Sequence, residues 1–322
     1  MVTVSHSFIA TANAVRYCGA IPVFVDVEPD TFNIDPALID GAISERTKAI
    51  LCVHQLGMPC DLAAIVAVAR RRGIPVIEDA ACAIGSEILY DDRWERIGRP
   101  HGDIACFSFH PRKLLSTGDG GMLVTRDAAL DGRFRLLRQH GMSVSDTARH
   151  SSSQVLFEEY PTLGFNYRMT DIQAAIGREQ LKRLTAIVER RRLLAARYHT
   201  ALAGMRGVRP PVEPAWARSN WQSYTVLLDP GHDQRRVMQR MLDAGVSTRR
   251  PAMNAHREAA YPTGTWFCGV SRQACTCGGP GGCECLRTGE AIQDSGVVLP
   301  LFHQMTDAEQ ETVLRSLGAA LA

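Results

Sequence analysis

Asp61-Leu62-Ala63-Ala64-Ile65-Val66-Ala67-Val68-Ala69-Arg70-Arg71-Arg72-Gly73-Ile74-Pro75-Val76-Ile77-Glu78-Asp79 is the stretch on which the fold turns. A helical pattern over Asp61 to Arg72 runs into a short apolar strand, Ile74 to Glu78, and a charged residue follows at once. The same alternation repeats outward from it. Upstream, Ile9 to Gly19 reads as a helix closed by a glycine, Ile21 to Val27 as a strand, Asp35 to Ile43 as a helix and Lys48 to Val53 as a strand. Downstream come strands Ile104 to Phe109 and Gly121 to Thr125, then a helix from Ala128 to about His140. Repeated β-α-β units predict an α/β fold with a mainly parallel sheet sandwiched by helices.

Thr170-Asp171-Ile172-Gln173 has the form of a capping box. Ile172, Ile176, Leu184, Ile187, Leu194, Tyr198 and Leu202 then draw an apolar stripe along one long helix ending near Gly204. Arg209-Pro210-Pro211-Val212-Glu213-Pro214 predicts a linker. Beyond it, short strands (Ser223 to Leu228, Gly296 to Leu299) and helices (Gln234 to Ala244, Asp307 to Ala320) predict a smaller α+β domain. The expected division is a large domain at 1–204 and a small one at 205–322, with a Cys-rich insertion at 268–285.

Composition excludes several classes. Hydrophobic residues make up 45% and charged residues 22% of the 322, which is ordinary for a globular protein and unlike a disordered or fibrous one. Lys and Arg number 36 against 34 Asp and Glu, so a net charge of +2 offers no field for nucleic acid or an acidic membrane. No apolar run reaches the roughly 20 residues needed to cross a bilayer, and no signal peptide is apparent, which places the chain in the cytoplasm. Among the ten cysteines, Cys18, Cys52, Cys60, Cys82 and Cys106 lie in apolar segments that suit reduced, buried thiols.

In open parallel sheets, ligands gather beyond the carboxyl ends of the strands. Asp79 stands there, ahead of the small Ala80 and Ala81, and so does Lys113, four residues past the strand Ile104 to Phe109 and just before Gly118-Asp119-Gly120-Gly121. An amine and a carboxylate so placed suit pyridoxal phosphate: the amine forms an imine with its aldehyde, and the carboxylate pairs with its pyridinium nitrogen. On spacing alone the two residues read more readily as solvated surface charges.

From Ser5 to about Thr200 the chain resembles the nucleotide-sugar aminotransferases of the DegT family, of fold type I in the aspartate aminotransferase superfamily. The matching stretches are Ser7 to Ala14, Val76 to Ala81, Phe107 to Lys113 with Gly118 to Gly121, Arg138-Gln139-His140-Gly141-Met142, and Gly164 to Ala175; Leu299 to Thr306 resembles the family's last strand and helix start. The resemblance implies that Lys113 is the imine-forming lysine and proton carrier and that Asp79 is the pyridinium partner. It also implies that Phe8 stacks on the cofactor ring, that Ser108 binds its phosphate and that Asn166 reaches the phosphate from a neighbouring subunit of a homodimer. Read without it, Phe8 is a core aromatic, Ser108 an outward strand residue and Asn166 a turn former. The implied reaction takes an amino group from L-glutamate to a nucleotide-linked keto sugar, the form Ser-Phe-His-Pro-Arg-Lys pointing to a 4-keto-6-deoxyhexose.

Three departures from the family accompany the resemblance. Relatives carry some tens of residues ahead of the equivalent of Ser5, including a Gly-Thr or Gly-Ser segment that opens a helix toward the cofactor phosphate. The expectation is that Met1 is an internal methionine of a longer protein, or else that the chain holds cofactor weakly and is a non-catalytic or regulatory member of the fold. At position 82, where relatives have His or Gln near the ring hydroxyl, this chain has Cys82, a weak hydrogen-bond donor. Lastly, Cys268, Cys275, Cys277, Cys283 and Cys285 form a cluster with two C-x-C pairs. Zinc binding and a reduced or reversibly oxidised loop are both open, and no metal ligand is assigned. A sugar dehydratase would carry histidine in place of Lys113, and a nicotinamide enzyme would carry an early G-x-G-x-x-G, so neither is expected.

Overall fold

A computed structural model describes residues 1–99, 101–144, 146–269 and 282–322. In chain order the strands are β1 (Val2–Val4), β2 (Val23–Val25), β3 (Ile50–Val53), β4 (Val76–Asp79), β5 (Glu87–Tyr90), β6 (Arg93–Arg96), β7 (Ile104–Ser108), β8 (Gly121–Val124), β9 (Val208–Arg209), β10 (Ala217–Arg218), β11 (Tyr224–Leu228), β12 (Phe267–Cys268) and β13 (Gly296–Leu299). The helices are α1 (Ala10–Tyr17), α2 (Pro36–Ala42), α3 (Leu62–Arg72), α4 (Ala128–Leu137), α5 (Asp146–Ser151), α6 (Asp171–Lys182), α7 (Leu184–Leu202), α8 (Gln234–Asp243), α9 (Arg287–Ser295) and α10 (Asp307–Leu321).

The main sheet has the order β12-β2-β1-β3-β4-β7-β8. Every pairing in it is parallel except β7 with β8. This is the mainly parallel α/β architecture that the sequence predicts. β1 and β3 are buried throughout, as strands covered on both faces must be. Helix starts follow local chemistry: the Asp35 side chain accepts from the Ala37 N–H at 2.9 Å, and that of Asp61 from the Ala64 N–H at 3.0 Å. Gly73 closes α3 with φ +62, a left-handed turn that sends the chain directly into β4.

A second sheet, β13-β11-β9, is antiparallel and packs with α7, α8 and α10 around Leu194, Tyr198, Tyr224, Met241, Val297 and Leu317. A third, β10-β5-β6, carries a hairpin that the periodicity did not announce. Its turn residues Asp91 and Asp92 have φ 47 and 61, the twist that matches a two-residue hairpin.

Three expectations need correction. The long helix from Thr170 is broken at Arg183 (φ −91, ψ −7) because its halves face different surroundings. No residue of α6 is buried, Ile172 being 76% exposed, whereas α7 buries Leu184, Ile187, Leu194, Tyr198 and Leu202. The first residue of the expected linker, Arg209, together with Val208 before it, forms β9 against Leu227 and Leu228, main-chain pairing reaching up to the prolines. Finally β12, from late in the chain, joins the main sheet as its edge beside β2, pairing Phe267 with Val23 and Cys268 with Phe24. Cys275 and Cys277 lie outside the described residues.

Candidate active site

β4 alternates faces, so Glu78 and Asp79 point opposite ways. Glu78 is fully buried: its Oε1 accepts from the backbone N–H groups of His101 (3.1 Å) and Gly102 (2.7 Å). Its Oε2 lies 3.2 Å from Nε2 of the equally buried His54. The Cys60 N–H donates to His54 Nδ1 at 3.0 Å, which leaves the ring proton on Nε2, directed at Glu78. This network braces the strand from behind and leaves Asp79 free to face the other side.

Asp79 Oδ2 accepts from the Thr11 hydroxyl at 2.8 Å and Oδ1 from the Ala81 N–H at 3.1 Å. Thr11 Oγ1 also lies 2.8 Å from Ser7 Oγ. Because Thr11 spends its proton on Asp79, Ser7 donates to Thr11 and the hydroxyls form a relay. Cys106, opposite Asp79 on β7, has its thiol pushed up to about 12 by burial and by the neighbouring carboxylates of Asp79 and Glu78. It therefore stays neutral and adds no second negative charge beside Asp79.

Lys113 sits on the loop between β7 and β8, which is closed on itself by the Phe109 N–H to Gly120 O (2.8 Å) and the Thr117 N–H to Phe109 O (3.1 Å). Leu114 and Leu115 bury this loop against Leu184, Ile187 and Val188 of α7, each contributing about 1.5–3 kcal/mol. The half-buried Lys113 directs Nζ to Cys82 Sγ at 3.1 Å. Cys82 follows Asp79 by three residues, so the amine stands over the turn that leaves β4.

The segment 219–223 clamps this turn and this loop together. Asn220 Nδ2 donates to the carbonyls of Cys82 (2.8 Å) and Ile84 (2.9 Å). Gln222 Oε1 accepts from the Leu114 N–H (3.1 Å), and its Nε2 donates to Arg112 O (2.7 Å), bracketing Lys113 on both sides. Behind them the buried Arg191 donates to the carbonyls of Trp221 (2.8 and 2.5 Å) and Gln222 (2.8 Å). Burial pushes Arg191 down to about 10, which still leaves it charged at neutral pH. Trp221 itself holds φ +50, a left-handed conformation costly for so large a residue. A Cβ on Gly57 (φ +99) would collide with Asn220 Oδ1, so the clamp also needs a glycine there. Thr11, Asn220, Gln222 and Arg191 escape the sequence reading; the only signal for the clamp is a polar trio beside an apolar strand.

Of the other predicted residues, Phe8 is 66% exposed and lies three residues before Thr11, whose hydroxyl donates to Asp79. Ser108 ends β7, and its Oγ meets the His110 N–H at a long 3.4 Å. Asn166 is exposed and forms an isolated bridge with Gln139 at the end of α4. The Thr11 to Asp79 bond ties the segment that carries Phe8 to the end of β4, and the Lys113 to Cys82 bond ties the loop to the turn that follows, while Asn166 takes part in neither. This donor set fits pyridoxal phosphate: a primary amine, a carboxylate whose oxygens already act as acceptors, an exposed flat aromatic, and the small Ala80 and Ala81 between them.

Comparison with known proteins agrees. The model of the DegT/DnrJ/EryC1/StrS aminotransferase family matches residues 1–318. The chain is 36% identical over 325 residues to GDP-perosamine synthase of Caulobacter vibrioides, covering 100% of this chain and 79% of that one. It is 40% identical over 229 residues to the spore coat polysaccharide biosynthesis protein SpsC of Bacillus subtilis, a match that spans 71% of this chain and 58% of that protein's length. The crystal structure of the aminotransferase TlmJ from Streptoalloteichus hindustanus superimposes with a TM-score of 0.84 at 34% identity, covering 99% of this chain and 78% of that one.

Proposed function

Because the chain belongs to the DegT/DnrJ/EryC1/StrS aminotransferase family, we propose that it uses pyridoxal phosphate to move an amino group from L-glutamate onto a nucleotide-linked keto sugar, a 4-keto-6-deoxyhexose, in the cytoplasm. The observation that carries this reading is the Lys113 amine held 3.1 Å from Cys82, one turn beyond the Asp79 carboxylate on the neighbouring strand. The similarity of the whole of this chain to part of a GDP-perosamine synthase supports the sugar class.

When bound, the cofactor supplies an aldehyde and an electron-withdrawing ring that make the donor's α-proton acidic. The chain's residues do the rest. Lys113 carries the proton between the substrate carbon and the C4′ position, a transfer that needs its amine on one face of the ring and at short range. Asp79 accepts the ring N–H, and the Thr11 hydroxyl fixes the carboxylate's rotation. Phe8 would cover the ring, Cys82 would stand in for the usual partner of the ring hydroxyl and Ser108 would hold the phosphate. Asn166 acts in the partner copy's site. In favour of a dimer, Phe157 (87% exposed), Leu163 (85%) and Ile172 (76%), in the stretch of chain that carries Asn166, leave apolar surface that water alone covers poorly.

The test is a panel of nucleotide keto sugars with glutamate and added cofactor, scored by the mass of the aminated product. The wild-type protein aminates at least one, and Lys113→Ala loses both turnover and the violet cofactor absorption. Amination by Lys113→Ala, or no Lys113-dependent absorption in the wild type, overturns the reading.

A further inference from the structure

Away from Lys113, the fold gathers a second set of reactive side chains. Cys268 ends the edge strand β12 and is fully buried; Cys283, 1% exposed, precedes the 3-10 turn Glu284–Leu286. Cys285, half-buried, lies within that turn. The Sγ atoms of these three residues all lie within 4.8 Å of one another. The aminotransferase reading uses none of them.

We propose that Cys268, Cys283 and Cys285 bind one thiophilic divalent cation, zinc, which fastens the sheet edge to the start of α9. Tetrahedral zinc holds sulfurs at about 2.3 Å, which sets neighbouring sulfurs about 3.8 Å apart. A set already inside 4.8 Å reaches that spacing by small side-chain rotations, without moving strands. All three donors are soft sulfurs, which select zinc over magnesium or calcium. Phe24, Tyr261, Trp266 and Leu286 wall one side, so competing water is scarce there.

The neighbourhood also holds the ligand backbone in place. The Cys283 N–H donates to Glu290 Oε1 at 2.6 Å, and the same oxygen lies 2.7 Å from His256 Nε2. His256 Nδ1 in turn lies 2.6 Å from Ser5 Oγ, and the Ala255 N–H donates to Ser5 O at 2.9 Å. The loop that carries the thiols is thereby tied to the segment that carries Phe8 and Thr11, so the metal has a structural role at a distance from the chemistry. On binding, three S–H groups release their protons to solvent and the hydrated ion exchanges waters for three sulfur–metal bonds, keeping one water as its fourth ligand, with no change of oxidation state.

The test is metal analysis of the full chain purified under reducing conditions from zinc-supplemented growth. About one zinc per chain is expected, falling to none in Cys268→Ser, Cys283→Ser and Cys285→Ser. Should those variants fail to fold, the wild-type protein loaded with cobalt in place of zinc shows a thiolate-to-metal charge-transfer band and intense visible absorption. Removal of metal by a chelator lowers the melting temperature while the Lys113-dependent cofactor absorption persists, which separates this site from the catalytic reading. Absence of bound zinc and of the cobalt bands, retention of metal in all three serine variants, or a mass deficit from an oxidised thiol pair without metal would overturn the proposal.

Discussion

Replacing Gln222 by alanine isolates the clamp around Lys113. The change removes two hydrogen bonds, from the Leu114 N–H at 3.1 Å and to Arg112 O at 2.7 Å, while the buried anchors Leu114 and Leu115 remain. Each bond has a net worth of about 0.5–1.5 kcal/mol, so the conformation that presents the amine loses about 1–3 kcal/mol relative to looser ones. If only the clamped loop supports proton transfer, kcat falls about 5- to 150-fold, since a tenfold change corresponds to about 1.4 kcal/mol. KM changes little, because both side-chain bonds of Gln222 go to the loop backbone. Gln222→Glu keeps an acceptor for the Leu114 N–H and loses the donor to Arg112 O, so its loss in kcat falls between those of wild type and alanine. Steady-state rates, read beside cofactor absorption and the melting temperature, make the comparison. An unchanged kcat in Gln222→Ala, or a fall explained wholly by lost folding, would refute the role given to the clamp.

Thr11→Val deletes the hydroxyl that donates to Asp79 at 2.8 Å while keeping the side chain's shape, and a bond to a charged acceptor is worth about 1.5–3 kcal/mol. Cofactor Kd, read by absorbance titration, rises about tenfold or more; an unchanged Kd removes Thr11 from the site. His6 is fully buried, and burial pushes its pKa down from 6.5 to about 4. Below pH 6.5 the unfolded chain binds a proton that the folded state refuses, so stability is full above that pH and is lost progressively down to about pH 4, by up to about 3 kcal/mol. Burial lowers His101, His256 and His303 in the same direction. Urea unfolding of His6→Gln shows a shallower decline from neutral pH to about pH 4.5, and parallel profiles for variant and wild type contradict the assignment. Asp92→Gly relieves the left-handed φ of 61 in the β5–β6 turn and adds about 1 kcal/mol, seen as a higher melting temperature at unchanged kcat.

Asp79 and Lys113 are legible in the sequence because each follows an apolar strand, and the carboxyl end of a parallel strand is where such a sheet opens. The helix caps Asp35, Asp61 and Thr170 are legible for the same local reason, since a cap and its target lie within three residues. Gln222 is not: its bond to Leu114 spans 108 positions, and the carbonyls that set its backbone answer to Arg191, about 30 residues upstream. The break at Arg183 was hidden because the apolar stripe continues through it, and only packing distinguishes the exposed α6 from the buried α7. A two-residue strand such as β12 has no periodicity to read.

The late arrival of β12 also shapes how the molecule is made. The unpaired edge of β2, at residues 23–25, waits for residues 267 and 268, so most of the chain is synthesised before that edge is covered. An open parallel edge is a template for pairing with other chains, and closing it across so large a sequence separation raises the contact order of the last step. During translation the nascent protein therefore carries a sticky flank on an otherwise complete β1-β3-β4-β7 core. Truncation ahead of Phe267, or delay in closing that flank, favours aggregation of a sheet whose Lys113 loop is already in place.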